Sequence, residues 1–166
     1  MKQSTLLVTM IAMTLLFTAN TYAATSEVTW KDYKSYRDIH EGHEGRKQFR
    51  ERTFKEFEEH FAKLAEKLPE DQTLKIEVTD VDLAGDTHVG INRVRVIKDH
   101  YIPSMDLSYQ LVDSNNKVIL ADEVKIKDMN FMTTSTLKYR SKPLAYEKKM
   151  LDDWFDDTFK DLLTKK

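Results

Sequence analysis

Between residues 46 and 68 apolar side chains recur at intervals of three and four: Phe54, Phe57, Phe61, Leu64 and Leu68, with Phe49 one turn earlier. That spacing lays them along one side of an α-helix, which repeats every 3.6 residues. Glu56, Glu59, Lys63 and Glu66 cover the other side. Pro69, which has no N–H to give and crowds the preceding turn, ends the helix. A second helix is predicted from about residue 144 to residue 163, with Pro143 suited to its opening turn. Leu151, Trp154, Phe155, Phe159 and Leu162 give it a broad apolar face, while Asp152, Asp153, Asp156 and Asp157 form a solubilising side offset by Lys148, Lys149 and Lys160.

Between the helices the period changes to two. Leu74, Ile76 and Val78 alternate with Lys75, Glu77 and Thr79, the signature of a half-buried strand. Val81 and Leu83 fall on the opposite parity, so the strand either bulges near Asp80 or buries its other face at the end. Residues 93–97 (RVRVI) and 105–112 (MDLSYQLV) read as two further strands, parted by KDHYIP. Residues 113–116 are all turn formers, and residues 118–126 complete an antiparallel hairpin with 105–112. Ahead of the first helix, residues 27–30 (EVTW) make a short strand, and KDYKSYRDIHEGHEG, without periodicity and with two glycines, a connecting loop. The order strand, helix, meander, helix predicts an α+β fold: a two-layer sandwich, its antiparallel sheet of about four to five strands covered on one face by two long helices.

Residues 1–23 follow another logic. A basic start at Lys2 leads into a mostly apolar run over residues 6–17, shorter than the ~20 residues a bilayer span needs. It ends in Thr21-Tyr22-Ala23, with small side chains at the two positions a signal peptidase reads. The expectation is a signal peptide cleaved after Ala23, leaving one domain over residues 24–166 in the periplasm. No later segment approaches spanning length, so no membrane span is expected after cleavage. The chain has no cysteine, which excludes disulfides and a lipid on a mature N-terminal cysteine. Cleavage removes only Lys2 from 26 basic residues and none of the 28 acidic ones, a near-neutral balance that argues against a nucleic-acid partner.

The densest candidate chemistry is TDVDLAGD, residues 79–86. Counting Asp80 as the first position of a calcium-binding EF-hand loop puts Asp82 third and Gly85 sixth, as required, but Ala84 stands fifth and Ile91 twelfth, where a bidentate glutamate belongs. Asp80, Asp82 and Asp86 are then either a loose divalent-metal site or carboxylates paired with Arg93 and Arg95 close behind them. In DIHEGHEG, residues 38–45, His40 and His43 stand three apart rather than the four of a helical zinc motif, and Gly42 and Gly45 disfavour a helix. A loop presenting His40 and His43 with Glu41 or Glu44 is the alternative metal site. A divalent ion is the single cofactor the sequence suggests. No nucleophile elbow, P-loop or dinucleotide fingerprint occurs, and no catalytic residue is predicted.

Three segments, VTW near residue 28, LPEDQTLKIEVTDVDLAGD and LAYEKKMLDDWF, resemble a family of small exported proteobacterial proteins catalogued as a domain of unknown function, over residues 28–155. TDVDLAG is the most distinctive part, and the resemblance implies a periplasmic location. The leading expectation is a non-enzymatic module that binds another periplasmic or envelope protein. The rivals are a metal-binding protein or metal-dependent hydrolase, and a carrier whose phenylalanine stripe lines a pocket for a small apolar ligand.

Overall fold

The computed structural model describes residues 23–87, 94–133, 137–139 and 141–163. The phenylalanine stripe forms α1, Arg46–Ala65, with Phe57 and Phe61 wholly buried and Leu64 1% exposed. Each such phenylalanine contributes ~1.5–3 kcal/mol by leaving water. The helix stops before Leu68, because the N–H groups of Lys67 and Leu68 bond the carbonyls of Leu64 and Ala65, three residues back. This tightened last turn keeps Leu68 in the core ahead of Pro69.

The period-two segment forms β2, Thr73–Asp82. Its register against β3, Ser104–Val112, shifts between Val78 and Asp80. Thr79 is the extra residue of a bulge, and its hydroxyl donates to the Asp106 carbonyl at 3.2 Å. The bulge resolves the parity change: Leu74, Ile76, Val78 and Val81 are all buried, opposite Leu111, Tyr109, Leu107 and Met105. β3 pairs antiparallel with β4, Val118–Lys127, as the hairpin predicted.

Two expectations about the sheet are corrected. β1, Thr25–Trp30, runs parallel to β2, so the sheet, in order β1-β2-β3-β4, is mixed rather than purely antiparallel. The physical cause is the connection: a 20-residue helix is ~30 Å long and carries the chain back to the end of the sheet it started from. RVRVI is not a strand over its described residues 94–97, where Val96 makes one isolated bridge to Asp86 and Val94 is 59% exposed. The place beside the end of β2 is held instead by the loop after β1. The Asp38 N–H bonds the Val81 carbonyl and the Leu83 N–H bonds the Asp38 carbonyl, at 3.0 and 3.4 Å.

α2, Ala145–Phe159, follows Leu144, whose positive φ of 55° turns the chain into the helix. Met150, Leu151, Phe155 and Phe159 join Phe57, Phe61, Leu64 and the apolar residues of β2 and β3 in one hydrophobic cluster. The phenylalanine stripe is therefore a core element. Two residues assigned above to the solubilising side of α2 are buried, Lys148 at 5% and Asp152 at 7% exposure, because that side packs near α1. No helix among the described residues is long and apolar enough to cross a membrane.

Candidate functional site

The TDVDLAGD segment begins at the bulge, and the loop of residues 36–40 lies against it. Tyr36 donates its hydroxyl to the Val78 carbonyl at 2.7 Å, and burial pushes its pKa up. Next to it, Arg37 turns outward over the polar face of the sheet. Its backbone N–H bonds Asp80 Oδ1 at 2.8 Å, its Nε binds Asp80 Oδ2, and its two terminal nitrogens lie 3.9 Å from Asp82 and 3.7 Å from Asp106. Asp106 pairs with Asp80 across the strands and receives Lys125 Nζ at 2.7 Å. Asp80 and Asp82 thus converge, but on Arg37. Burial pushes the Asp82 carboxyl above the usual aspartate range, against the pull of Arg37.

Asp38 points the other way, inward. Arg95 holds it bidentately at 2.6 and 3.2 Å, and the same guanidinium bonds the carbonyls of Gly85 and His40 at 2.8 and 3.2 Å. Asp38 Oδ1 also accepts the His40 N–H at 3.0 Å. Arg95, expected beside Asp80, Asp82 and Asp86, instead clamps the 36–40 loop onto the 84–85 turn. Asp86 lies past Gly85 and exchanges backbone hydrogen bonds with Val96 at 3.0 and 2.9 Å. Arg93 lies outside the described residues. From the other side, buried Glu147 in the first turn of α2 accepts the Ala84 N–H at 2.7 Å, and its burial raises its pKa. The TDVDLAGD segment is thereby tied to distant elements on both sides, by charge-assisted hydrogen bonds from Arg95 and by the buried Glu147 carboxyl.

The histidine loop places its acids against arginines. Glu44 binds Arg52 at 2.6 Å, which holds its carboxyl below the usual range, and Glu41 lies 3.3 Å from Arg46 Nε. Among the described residues no group of three or more His, Asp and Glu side chains is arranged to hold a metal ion.

Beside this loop lies a groove of 280 Å³ lined by Tyr33, Lys34, Ile39, His40, Arg46 and Arg50, with buried Tyr36. The Arg50 guanidinium stacks on the Tyr33 ring, 4.4 Å from its centroid. Tyr33 meets Phe54 edge-on at 6.0 Å, and Phe54 stacks on Trp30 at 4.0 Å, so the platform under Arg50 is fixed from below. Neither Arg50 nor Lys34 has a carboxylate within ion-pair distance among the described residues. Stacking uses the face of a guanidinium and leaves its N–H edge free for a planar anion. An apolar floor with two unmatched cations above it suits an anionic group attached to an apolar body.

A family model described as protein of unknown function, DUF3016, matches residues 24–157. The chain belongs to the DUF3016 family. No curated protein and no solved structure matches it. The match takes in the Arg37, Asp38 and Arg95 network, the groove and nearly all of α2, so the DUF3016 unit is the whole described α+β fold up to Asp157.

Several polar residues of this DUF3016 fold were not singled out from the sequence. Glu147 was legible, since it stands four residues before Leu151 in the row Leu151, Phe155, Phe159 and so on the buried line of α2. His60 likewise interrupts an apolar row, between Phe57 and Leu64. Arg37, Asp38, Tyr33 and Arg50 gave no local signal, because their partners lie on other elements.

Proposed function

We propose that this DUF3016 protein is an exported, non-enzymatic binding module of the periplasm, and that the groove over Tyr33 takes an acidic segment of another envelope protein. The observation that carries the reading is Arg50, held over the Tyr33 ring and, like Lys34 beside it in the groove, without a carboxylate at ion-pair distance among the described residues. A guanidinium held in place before binding loses little conformational freedom when a carboxylate arrives, and so favours specific capture. Ile39, Tyr33 and Tyr36 would bury the apolar side chain next to that carboxylate. Export is supported by the pattern of residues 1–23, and by the family match beginning at Ala24, directly after the expected cleavage point. The reading takes both helices as covering the apolar face of the sheet, leaving the groove at the rim where α1 meets the 33–40 loop.

The test is site-specific photo-crosslinking in intact cells, with the reactive residue at exposed Ser35, which borders the groove without lining it. One dominant adduct that disappears when Arg50→Glu is added supports the reading. No adduct, or the same adducts with Arg50→Glu, overturns it.

A further inference from the structure

β4 ends the sheet, and among the described residues all of its ladder partners lie on β3. A strand in that position turns a row of unpaired N–H and C=O groups to water. The Glu123 N–H shows which groups these are, because it bonds Oδ1 of its own neighbour Asp122 at 2.8 Å rather than a carbonyl of β3. Backbone groups alternate sides along an antiparallel strand, so Ala121, Glu123, Lys125 and Lys127 carry the free edge. The even-numbered residues face the core, where Ile126 is buried and Leu120 and Val124 pack against the hydrophobic cluster.

A strand added at this edge must keep the same alternation, so its register can move only in steps of two. The charges of the edge residues decide between the steps. Glu123 and Lys127 are exposed and have no ion-pair partner among the described residues. Lys125, though bound to Asp106, is 72% exposed at its side chain.

We infer that β4 pairs antiparallel with β4 of a second copy of this chain, about a two-fold axis at Val124. In that register each Glu123 stands opposite the partner's Lys125 and diagonal to the partner's Lys127. Opposite charges facing each other across an antiparallel pair stabilise it, and like charges oppose it. A slip of two residues one way sets Glu123 against the partner's Glu123 on the axis, and a slip the other way sets Lys125 against the partner's Lys125. Lysines on a sheet edge deter indiscriminate pairing. Here they reject both neighbouring registers and favour this one. The exposed Ile119 and Met129 fit the same arrangement, since continuing the register brings Ile119 of one copy alongside the partner's Met129 at each end. On pairing, the Glu123 N–H leaves Asp122 for the carbonyl of the partner's Lys125. The contact is the same patch on both copies, so it closes at two and joins the two sheets into one. β4 lies at the opposite edge of the sheet from β1, so this surface is independent of the groove over Tyr33.

The test is sedimentation equilibrium of the purified protein up to high micromolar concentration, where the unaltered protein is expected to reach twice the monomer mass. Glu123→Lys and Lys125→Glu are each expected to stay monomeric, because each sets like charges opposite one another at both cross-strand positions. Both positions are exposed, and circular dichroism checks that the fold is kept. Mixed in equal amounts, the two variants are expected to form a dimer again, one copy contributing two lysines and the other two glutamates. The axis is read separately by Val124→Cys, in a chain that has no other cysteine. Oxidation should join Val124→Cys copies across the axis, whereas in Asp122→Cys the two thiols stand four residues, ~14 Å, apart along the strands and should remain unjoined. A monomer at every concentration, a dimer that survives Glu123→Lys, no dimer on mixing the two variants, or joining at position 122 as readily as at 124 overturns the inference.

Discussion

Replacing Arg95 by Met removes the clamp on the 84–85 turn while keeping most of the aliphatic volume. It leaves Asp38, 12% exposed at its side chain, with the His40 N–H as its one side-chain donor among the described residues, and removes the Arg95 donor from the carbonyls of Gly85 and His40. Removing one partner of a buried ion pair costs ~3–5 kcal/mol. The Arg95 side chain is 21% exposed, so water repays part of that cost and the lower end applies, ~3 kcal/mol. For a domain of this size the melting temperature should fall by ~10 °C. Urea unfolding followed by tryptophan fluorescence suits the measurement, because Trp30 is stacked on Phe54 and Trp154 packs on Tyr109 and Phe159. Arg95→Lys should fall between, since an ammonium keeps the charge but cannot span two carboxylate oxygens and two carbonyls. Combining Arg95→Met with Asp38→Asn should show a coupling energy of ~1.5 kcal/mol or more. A loss below ~1 kcal/mol for Arg95→Met, or coupling below ~0.5 kcal/mol, would refute the claim that this ion pair anchors the TDVDLAGD segment.

Gly85→Ala should cost ~2–4 kcal/mol by the same assay, since φ is +83° and the new Cβ would lie 2.6 Å from Ile97 Cδ1 and 2.7 Å from the Val96 carbonyl oxygen. Asp152 is held below the usual aspartate range by His60, Lys138 and Tyr139, which outweigh the upward push of burial. A lowered folded-state pKa contributes stability that is present above the unfolded value, ~3.9, and is lost as pH falls towards the folded one. Unfolding measured from about pH 5 downward should therefore show a steeper acid loss in the unaltered protein than in Asp152→Asn. Glu147 has the opposite sign: burial raises its pKa, so its contribution is fully present below the unfolded value and declines as pH rises through the folded one. Glu147→Gln keeps an acceptor for the Ala84 N–H, and its melting temperature should hold up better between pH 5 and pH 8 than that of the unaltered protein. Identical pH profiles for either pair would refute the corresponding assignment.

The chain by itself determined the elements whose periods are local. The row Phe57, Phe61, Leu64 could be nothing but the buried side of a helix, and Leu74, Ile76, Val78 nothing but the inner face of a strand. The parity change at Val81 even located the bulge to within a residue, because one inserted residue is the economical way to keep both halves of a strand facing one core. Direction and partnership were not local. Whether β1 ran parallel or antiparallel to β2 depended on where α1 returned the chain, and no residue of β1 records that. RVRVI has the alternation of a strand, yet the 36–40 loop holds the backbone sites beside β2, and Arg95 turns to that loop's carboxylate. Asp80 and Asp82 lie close in sequence, but the arginine they share is Arg37, more than forty residues earlier. Asp152 shows the same limit: its neighbours in sequence mark it as solvated, while His60 and Tyr139, brought alongside by the packing of α1 near α2, make it a buried charge. Charges act through space and apolar periods act along the chain, so the core of this protein was written in the sequence and its sites were made by the fold.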